Sequence, residues 1–322
     1  MSADILIDVQ HLYRYYGGVC AVNDVSFSVR RGEVLGILGP NGAGKTSTMQ
    51  MISGTLAPSA GGITVGGIDI LESPKAAKAN LGYLPEHPPL YRDMRVDEYL
   101  LYCARLHRIH RHQCDAVLAK TKSRCGLGDA GQRLIGNLSK GYQQRVGIAQ
   151  ALLHAPAVVI LDEPTVGLDP IQIREIRDLI GELRDDHSVI LSTHILPEVQ
   201  AVCDRVLIIH QGRLVLDDSV ERLTRQQSVT GLRIALRQPP DVAQLQAIAG
   251  VEQVERLDSN RFVLRHPPDR NPADGVVDLA VERRWGLFEL VPETRSLEET
   301  FVQLTAGERL AGAEQQPEEA SP

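Results

Sequence analysis

No stretch of this 322-residue sequence approaches the roughly 18–20 consecutive apolar residues that a membrane-crossing helix requires. The longest apolar runs are short, such as AVVIL at 157–161, and read as buried strands. The first residues, MSADILIDVQ, contain no basic region followed by an apolar one, so no secretory leader is expected. The chain is therefore expected in the cytoplasm, and any work at a membrane requires spanning helices from a partner. A basic excess is also missing. The net charge is −7 and the isoelectric point about 5.8, which speaks against a nucleic-acid partner. Paired cysteines are missing too. Cys20, Cys103, Cys114, Cys125 and Cys203 are scattered with no CxxC, as expected of reduced structural thiols. No internal repeat is evident. What remains is 43% apolar and 23% charged, a globular composition long enough for one large domain and one small one.

Period-2 alternation of Val25, Phe27 and Val29 predicts a strand, and the short apolar segment VLGIL (34–38) predicts another. Ile63 to Ile70, broken by Gly66 and Gly67, reads as a hairpin. A polar helical block over about 94–147 separates strand 81–85 from strand 157–161. Strand and helix then alternate: a helix near 170–185, strand 188–192, a helix near 196–203, strand 205–209. Such alternation implies a mostly parallel sheet covered by helices. Residues 1–225 are thus expected to form one α/β domain. Residues 226–305 read as strand 231–237, helix 241–249, strands 251–257 and 261–265, helix 273–284, strand 286–291 and a last helix near 297–305. The first six spell the split β-α-β-β-α-β order of a small, ferredoxin-like α+β domain. Residues 306–322 are polar and acidic and are expected to be disordered.

GPNGAGKT at 39–46 follows a strand and opens a helix, which is where a G-x-x-x-x-G-K-[ST] loop cradles phosphates. Its glycines let successive N–H groups face one anion, and the helix N-terminus adds a favourable dipole. Gly39, Pro40, Asn41, Gly42, Ala43, Gly44, Lys45, Thr46 and Ser47 are the candidate nucleotide contacts. Lys45 is expected to reach the β- and γ-phosphates, and Thr46 to ligate Mg²⁺. AVVILDEP (157–164) ends a buried strand in two carboxylates whose side chains alternate in direction. Asp162 is the candidate Mg²⁺ ligand, and Glu163 the candidate general base for the attacking water.

These two motifs resemble the P-loop NTPases, and three further segments resemble one family among them, the ABC (ATP-binding cassette) proteins. LSKGYQQR at 138–145 resembles the family's LSGGQ signature, STH at 192–194 its switch histidine, and Gly167-Leu168-Asp169 its D-loop. The resemblance covers about residues 4–225. It implies a RecA-like core with a β subdomain and a helical signature subdomain. Tyr16 stands where the family stacks an aromatic on adenine. The resemblance also implies an ATP site shared by two cassettes, in which Ser139 and Gly141 of one copy meet the γ-phosphate held by the other, and His194 links that phosphate to the opposite Asp169. One set of motifs per chain implies a homodimer or a heterodimer of cassettes. Three positions depart from the pattern: Lys140 replaces glycine, Tyr142 replaces glutamine, and Glu86 replaces the Q-loop glutamine, where it is the third candidate Mg²⁺ ligand. GYLPE, LSKGY and SLEETFVQLT (296–305) resemble single-cassette export ATPases of the gliding-motility and copper-processing kind, which work with a separate membrane permease. The expected activity is transport-coupled ATP hydrolysis at the cytoplasmic side of a membrane. The alternative is a soluble ABC ATPase acting on another macromolecule.

Two weaker features read as solvated surface. His107, His110 and His112 lie in a basic helix end and loop without clean metal-ligand spacing. Arg261, Arg265, Arg270, Arg283 and Arg284 are interleaved with acidic residues. The segment from Pro85 to Pro89 is stiff. By the resemblance, it lies where a permease is met.

Overall fold

The computed structural model describes residues 5–225, 229–267 and 270–294. Two compact units divide between Val220 and Glu221. The first begins with β1 (Ile5–Tyr16) and β2 (Val19–Arg30), then β3 (Val34–Leu38), α1 (Lys45–Ile52), β4 (Ala60–Val65), β5 (Ile68–Asp69), α2 (Pro74–Lys78) and β6 (Leu81–Leu84). Helices α3 (Val96–Leu106), α4 (Arg111–Arg124) and α5 (Lys140–Leu152) follow. The chain then runs through β7 (Val158–Asp162), α6 (Pro170–Leu183), β8 (Ser188–Thr193), α7 (Leu196–Val202), β9 (Arg205–His210) and β10 (Arg213–Ser219), and α8 (Val220–Arg225) ends this stretch.

The main sheet has the order β10-β9-β3-β8-β7-β6. All its neighbours are parallel except β10, which pairs antiparallel with β9. Strands β3, β7 and β8 are buried along their whole length, because a parallel sheet is covered on both faces and its strands must be apolar throughout. Register then fixes the site. Leu38 lies beside Thr193, and Asp162 beside Ser192, so Gly39, Glu163 and His194 leave the sheet at one edge. Ligands bind in α/β sheets at this carboxyl edge. The second sheet, β2-β1-β4-β5, is antiparallel and shares one apolar core with the first. Its strand β1 shifts register between Val9 and Leu12, where His11 adopts φ 47°, a bulge that the sequence does not announce.

The helical block resolves into α3, α4 and the start of α5. His107 stacks on His154 with ring centroids 3.9 Å apart, and His110 on His112 at 5.6 Å, so the three histidines divide between two ring pairs. Burial, with the neighbouring His107 ring, pushes His154 down to about 4. All five cysteines are free, and four are buried.

The second unit runs β11 (Val229–Leu236), α9 (Val242–Gln246), β12 (Gln253–Arg256), β13 (Arg261–Arg265), α10 (Ala273–Glu282) and β14 (Leu287–Thr294). Its sheet is antiparallel in the order β12-β13-β11-β14, with β13 inserted between the two strands that α9 connects. One face packs Leu232, Ile234, Phe262 and Leu264 against Leu245, Val276 and Trp285. The helix α9 is shorter than the expected 241–249. The helix expected near 297–305 and the tail at 306–322 lie outside the described residues.

Candidate active site

The loop between β3 and α1 is shaped by two close approaches. A Cβ at Gly39 would lie 2.3 Å from the Ile209 carbonyl oxygen, and one at Gly44 would lie 2.4 Å from that of Ala21. Gly44 also has φ 103°, a conformation that side chains resist. The Gly212 N–H donates to the Ala43 carbonyl at 2.9 Å, which ties the loop to the β9–β10 turn. At the first helical position Lys45 is 5% exposed, and its ammonium donates to the carbonyls of Gly39 at 2.8 Å and Pro40 at 3.2 Å.

Asp162 closes β7 with no exposure, and its Oδ1 accepts from the Ser192 hydroxyl. Its Oδ2 is buried without a hydrogen-bond partner. Burial pushes the Asp162 carboxyl up. The Ser192 and Thr46 hydroxyls oppose that shift, and the charges of Glu163 and Glu86 add to it. Glu163 follows with φ 48°, its N–H donating to the Ser192 carbonyl at 3.1 Å and facing the Ser192 hydroxyl at 3.2 Å. One Glu163 oxygen lies 3.3 Å from Lys45 Nζ, and the other 2.9 Å from His194 Nδ1. Lys45, Glu163 and His194 therefore form one continuous chain of polar contacts.

That chain lies in a cavity of about 440 Å³ whose wall also contains Ala21, Asn41, Gly42, Gly44, Thr46, Ser47, Glu86 and Val166. Backbone curl, one cation, hydroxyls and carboxylates thus converge on one space. Its chemistry suits a polyphosphate and a water held beside it. The Tyr16 hydroxyl meets Ser47 Oγ at 3.3 Å, and the Arg14 guanidinium lies 4.7 Å from the Tyr16 ring centre.

Tyr16, Gly39, Pro40, Ala43 and Asp162 do not line the cavity, and three further candidates stand on other elements. Ser139 caps α5, its hydroxyl accepting from the Tyr142 N–H at 3.4 Å. Asp169 caps α6, accepting from Ile171 and Gln172 at 3.0 and 2.9 Å. Gly141 lies against Gln172, where a Cβ would come within 2.7 Å, and the Lys140 ammonium lies against Gly167. Ser139, Gly141 and Asp169 therefore gather with one another and not on the cavity wall. Ser192 and Val166 are site residues that sequence reasoning did not assign. Parallel pairing of β7 and β8 puts Ser192 beside Asp162, a register that the STH segment does not by itself give.

The sequence profile of the family described as "ABC transporter" matches residues 22–166. The ABC transporter ATP-binding protein NatA of Bacillus subtilis is 42% identical over 207 residues, covering 64% of this chain and 84% of NatA. The daunorubicin resistance ATP-binding protein DrrA3 of Streptomyces coeruleorubidus is 30% identical over 310 residues, covering 95% of this chain and 98% of DrrA3. Among solved structures, cbiO1 from Clostridium perfringens, part of the ABC transporter complex cbiONQ, superposes with a TM-score of 0.64 at 28% identity. That match covers 70% of this chain and 93% of cbiO1.

Proposed function

This chain belongs to the ABC transporter family of ATP-binding subunits, and from that membership we propose that it powers an exporter through a separate membrane permease. It binds and hydrolyses ATP, as the family does. The export direction is supported by relatives such as DrrA3, which is named for drug resistance. Among the described residues no helix is long and apolar enough to cross a membrane.

The observation that carries the mechanism is the Lys45–Glu163–His194 chain of contacts inside the phosphate-loop cavity. Loop N–H groups and Lys45 hold the β- and γ-phosphates, so ATP competes with Glu163 for the ammonium. Glu163 accepts a proton from water as that water attacks the γ-phosphorus. The bond from that phosphorus to the bridging oxygen breaks, leaving ADP and phosphate. His194 donates through Nδ1 to Glu163 and presents its other nitrogen to the γ-phosphate. The buried Asp162 carboxylate, which interacts with the Thr46 hydroxyl and the Glu86 charge, would with those two groups hold Mg²⁺ through oxygen alone. When bound, the ion neutralises charge on the phosphate oxygens. Tyr16 offers its ring to adenine.

Ser139, Gly141 and Asp169 complete the site of a second cassette. Their place beside α6, away from this chain's own cavity, supports a head-to-tail pair. The 226–305 segment serves as an accessory module, for dimer support or regulation.

Two measurements test the proposal together. In a phosphate-release assay, Glu163→Gln is expected to retain ATP and to turn over about 10³-fold more slowly. Near-parent turnover would remove Glu163 from the role of base. The tagged chain, drawn from detergent-solubilised membranes of its host, is expected to bring down a multi-span protein in near-stoichiometric amount. Recovery only from the soluble fraction, with ribosomes or nucleic acid, would withdraw the transport reading and leave the ATPase chemistry standing.

A further inference from the structure

Next to the candidate residues, a hydroxyl from the loop after β7 and one from the last residue of β8 converge on one buried carboxylate. Thr165 Oγ1 donates to Glu198 Oε1 at 2.5 Å, and Thr193 Oγ1 donates to Glu198 Oε2 at 2.7 Å. Thr165 is 3% exposed, Glu198 1% and Thr193 not at all. Thr193 Oγ1 also accepts from the Ile195 N–H at 3.1 Å. Thr165 follows Glu163 by two residues, and Thr193 immediately precedes His194. Glu198 itself, in the first turn of α7, is not on the cavity wall.

Burying a carboxylate is costly unless hydrogen bonds compensate it, so this arrangement is unfavourable as mere filling. What a carboxylate supplies is a rigid plane with two acceptors at fixed separation, and here one acceptor holds the loop after β7 and the other the end of β8. These two segments carry groups whose mutual geometry matters. Glu163 touches His194 through one contact of 2.9 Å, and its backbone sits at φ 48°. A side-chain-bearing residue stays in that region only where its surroundings over-determine it.

We infer that Glu198 is a positioning residue for ATP hydrolysis, clasping the loop after β7 to the end of β8 so that Glu163 and His194 keep their spacing. The inference rests on the roles assigned above to Glu163 and His194. Glu198 is 1% exposed and does not line the cavity. Its effect therefore falls on turnover and not on nucleotide affinity, since loops misplaced by about 1 Å lose on the order of 10²-fold in rate.

Steady-state ATP hydrolysis by the full chain tests this, with Thr165→Val, Thr193→Val and the double variant. Each removes a hydroxyl while keeping a β-branched side chain, so the test does not depend on whether Glu198→Ala folds. Each single variant is expected to lower kcat by about 10- to 100-fold, with KM for ATP within about twofold of the parent. The double variant is expected to be no slower than the slower single, because either cut opens the clasp. Glu198→Gln keeps one acceptor and adds one donor, and its kcat is expected to fall less than that of either valine variant. Unchanged kcat in the singles overturns the inference. So does KM rising in step with the loss, or a double-variant loss equal to the product of the single losses. Glu163→Gln, measured alongside, separates the two levels. Its retention of turnover would strike the role of base, whereas the valine variants report on the clasp alone.

Discussion

In the nucleotide-binding unit Lys45, Asp162, Glu163 and Glu198 are each 5% exposed or less. In the C-terminal unit Arg233 and Arg261 pair with Glu289, and Arg265 with Glu255 and Glu293, across a sheet face where these side chains keep 26–51% exposure. Both regions are rich in opposite charges at similar distances, yet they differ in what the charges cost. A buried ion loses its hydration, and removing its partner leaves that loss uncompensated. A half-exposed pair keeps most of its water and contributes about 0–1 kcal/mol. Charge is therefore retained at high cost where the proposed phosphate chemistry would use it, and at low cost where it decorates a sheet. The arginines interleaved with acids in the C-terminal sequence already suggest the second case.

The same contrast is sharpest in backbone geometry. Gly44 has φ 103° and a Cβ site 2.4 Å from a carbonyl, whereas Gly250 of the second unit has φ 94° and a Cβ site 3.1 Å from the Arg270 carbonyl. Strain of about 1–3 kcal/mol placed in the phosphate loop is expected to weaken ATP binding about 10- to 100-fold in Gly44→Ala. Gly250→Ala is expected to lower stability by about 1 kcal/mol and to leave ATP affinity alone. Nucleotide titration and urea unfolding of both variants check the pair. Equal losses of ATP affinity would erase the contrast.

A smaller effect is expected from Glu86→Gln, which removes one negative charge acting on Asp162. If Glu86 ligates Mg²⁺, the half-saturating Mg²⁺ concentration for hydrolysis should rise by about tenfold. Unchanged rate and unchanged Mg²⁺ dependence would remove Glu86 from the metal set. Smallest is Arg265→Ala, which breaks two cross-strand pairs of the second unit. Its unfolding free energy is expected to fall by about 1 kcal/mol or less, with kcat and KM unchanged. A loss of several kcal/mol would mean that this face is not merely solvated.

How much of this was legible in the sequence depends on whether the information is local. The phosphate loop is contiguous, and its glycines, Lys45 and Thr46 declare themselves. So do the ends of β3, β7, β8 and β9, where an apolar run stops. The partnership of Ser192 with Asp162 is not legible, because it depends on strand register across thirty positions of chain. Glu198 is less legible still. In sequence it is an ordinary acid in the first turn of a seven-residue helix, and only tertiary packing brings two hydroxyls to it. His107 is exposed, as its solvated reading expects, but its stacking on His154 is likewise a tertiary contact that the sequence does not announce. Strand β10 is not announced because RLVLDDS is polar for an edge strand, and α9 ends at Gln246, before the Gly250 stop that bounds the expected 241–249. The placement of Ser139, Gly141 and Asp169 away from the cavity is what the proposed composite site would require, and periodicity alone does not reveal it.

The phosphate loop is held in shape by carbonyls at Ala21 and Ile209 and by the Gly212 N–H, groups that lie far from it along the chain. No isolated loop-and-helix fragment carries those groups, so the anion cradle exists only once strands from both ends of the unit have assembled. Affinity for nucleotide is thereby linked to completion of the fold. Saturating ATP at about 100 times its dissociation constant adds roughly 2.7 kcal/mol to the native state and nothing to a partly folded one. The fuel of the machine thus also serves as a selector of chains that have finished folding.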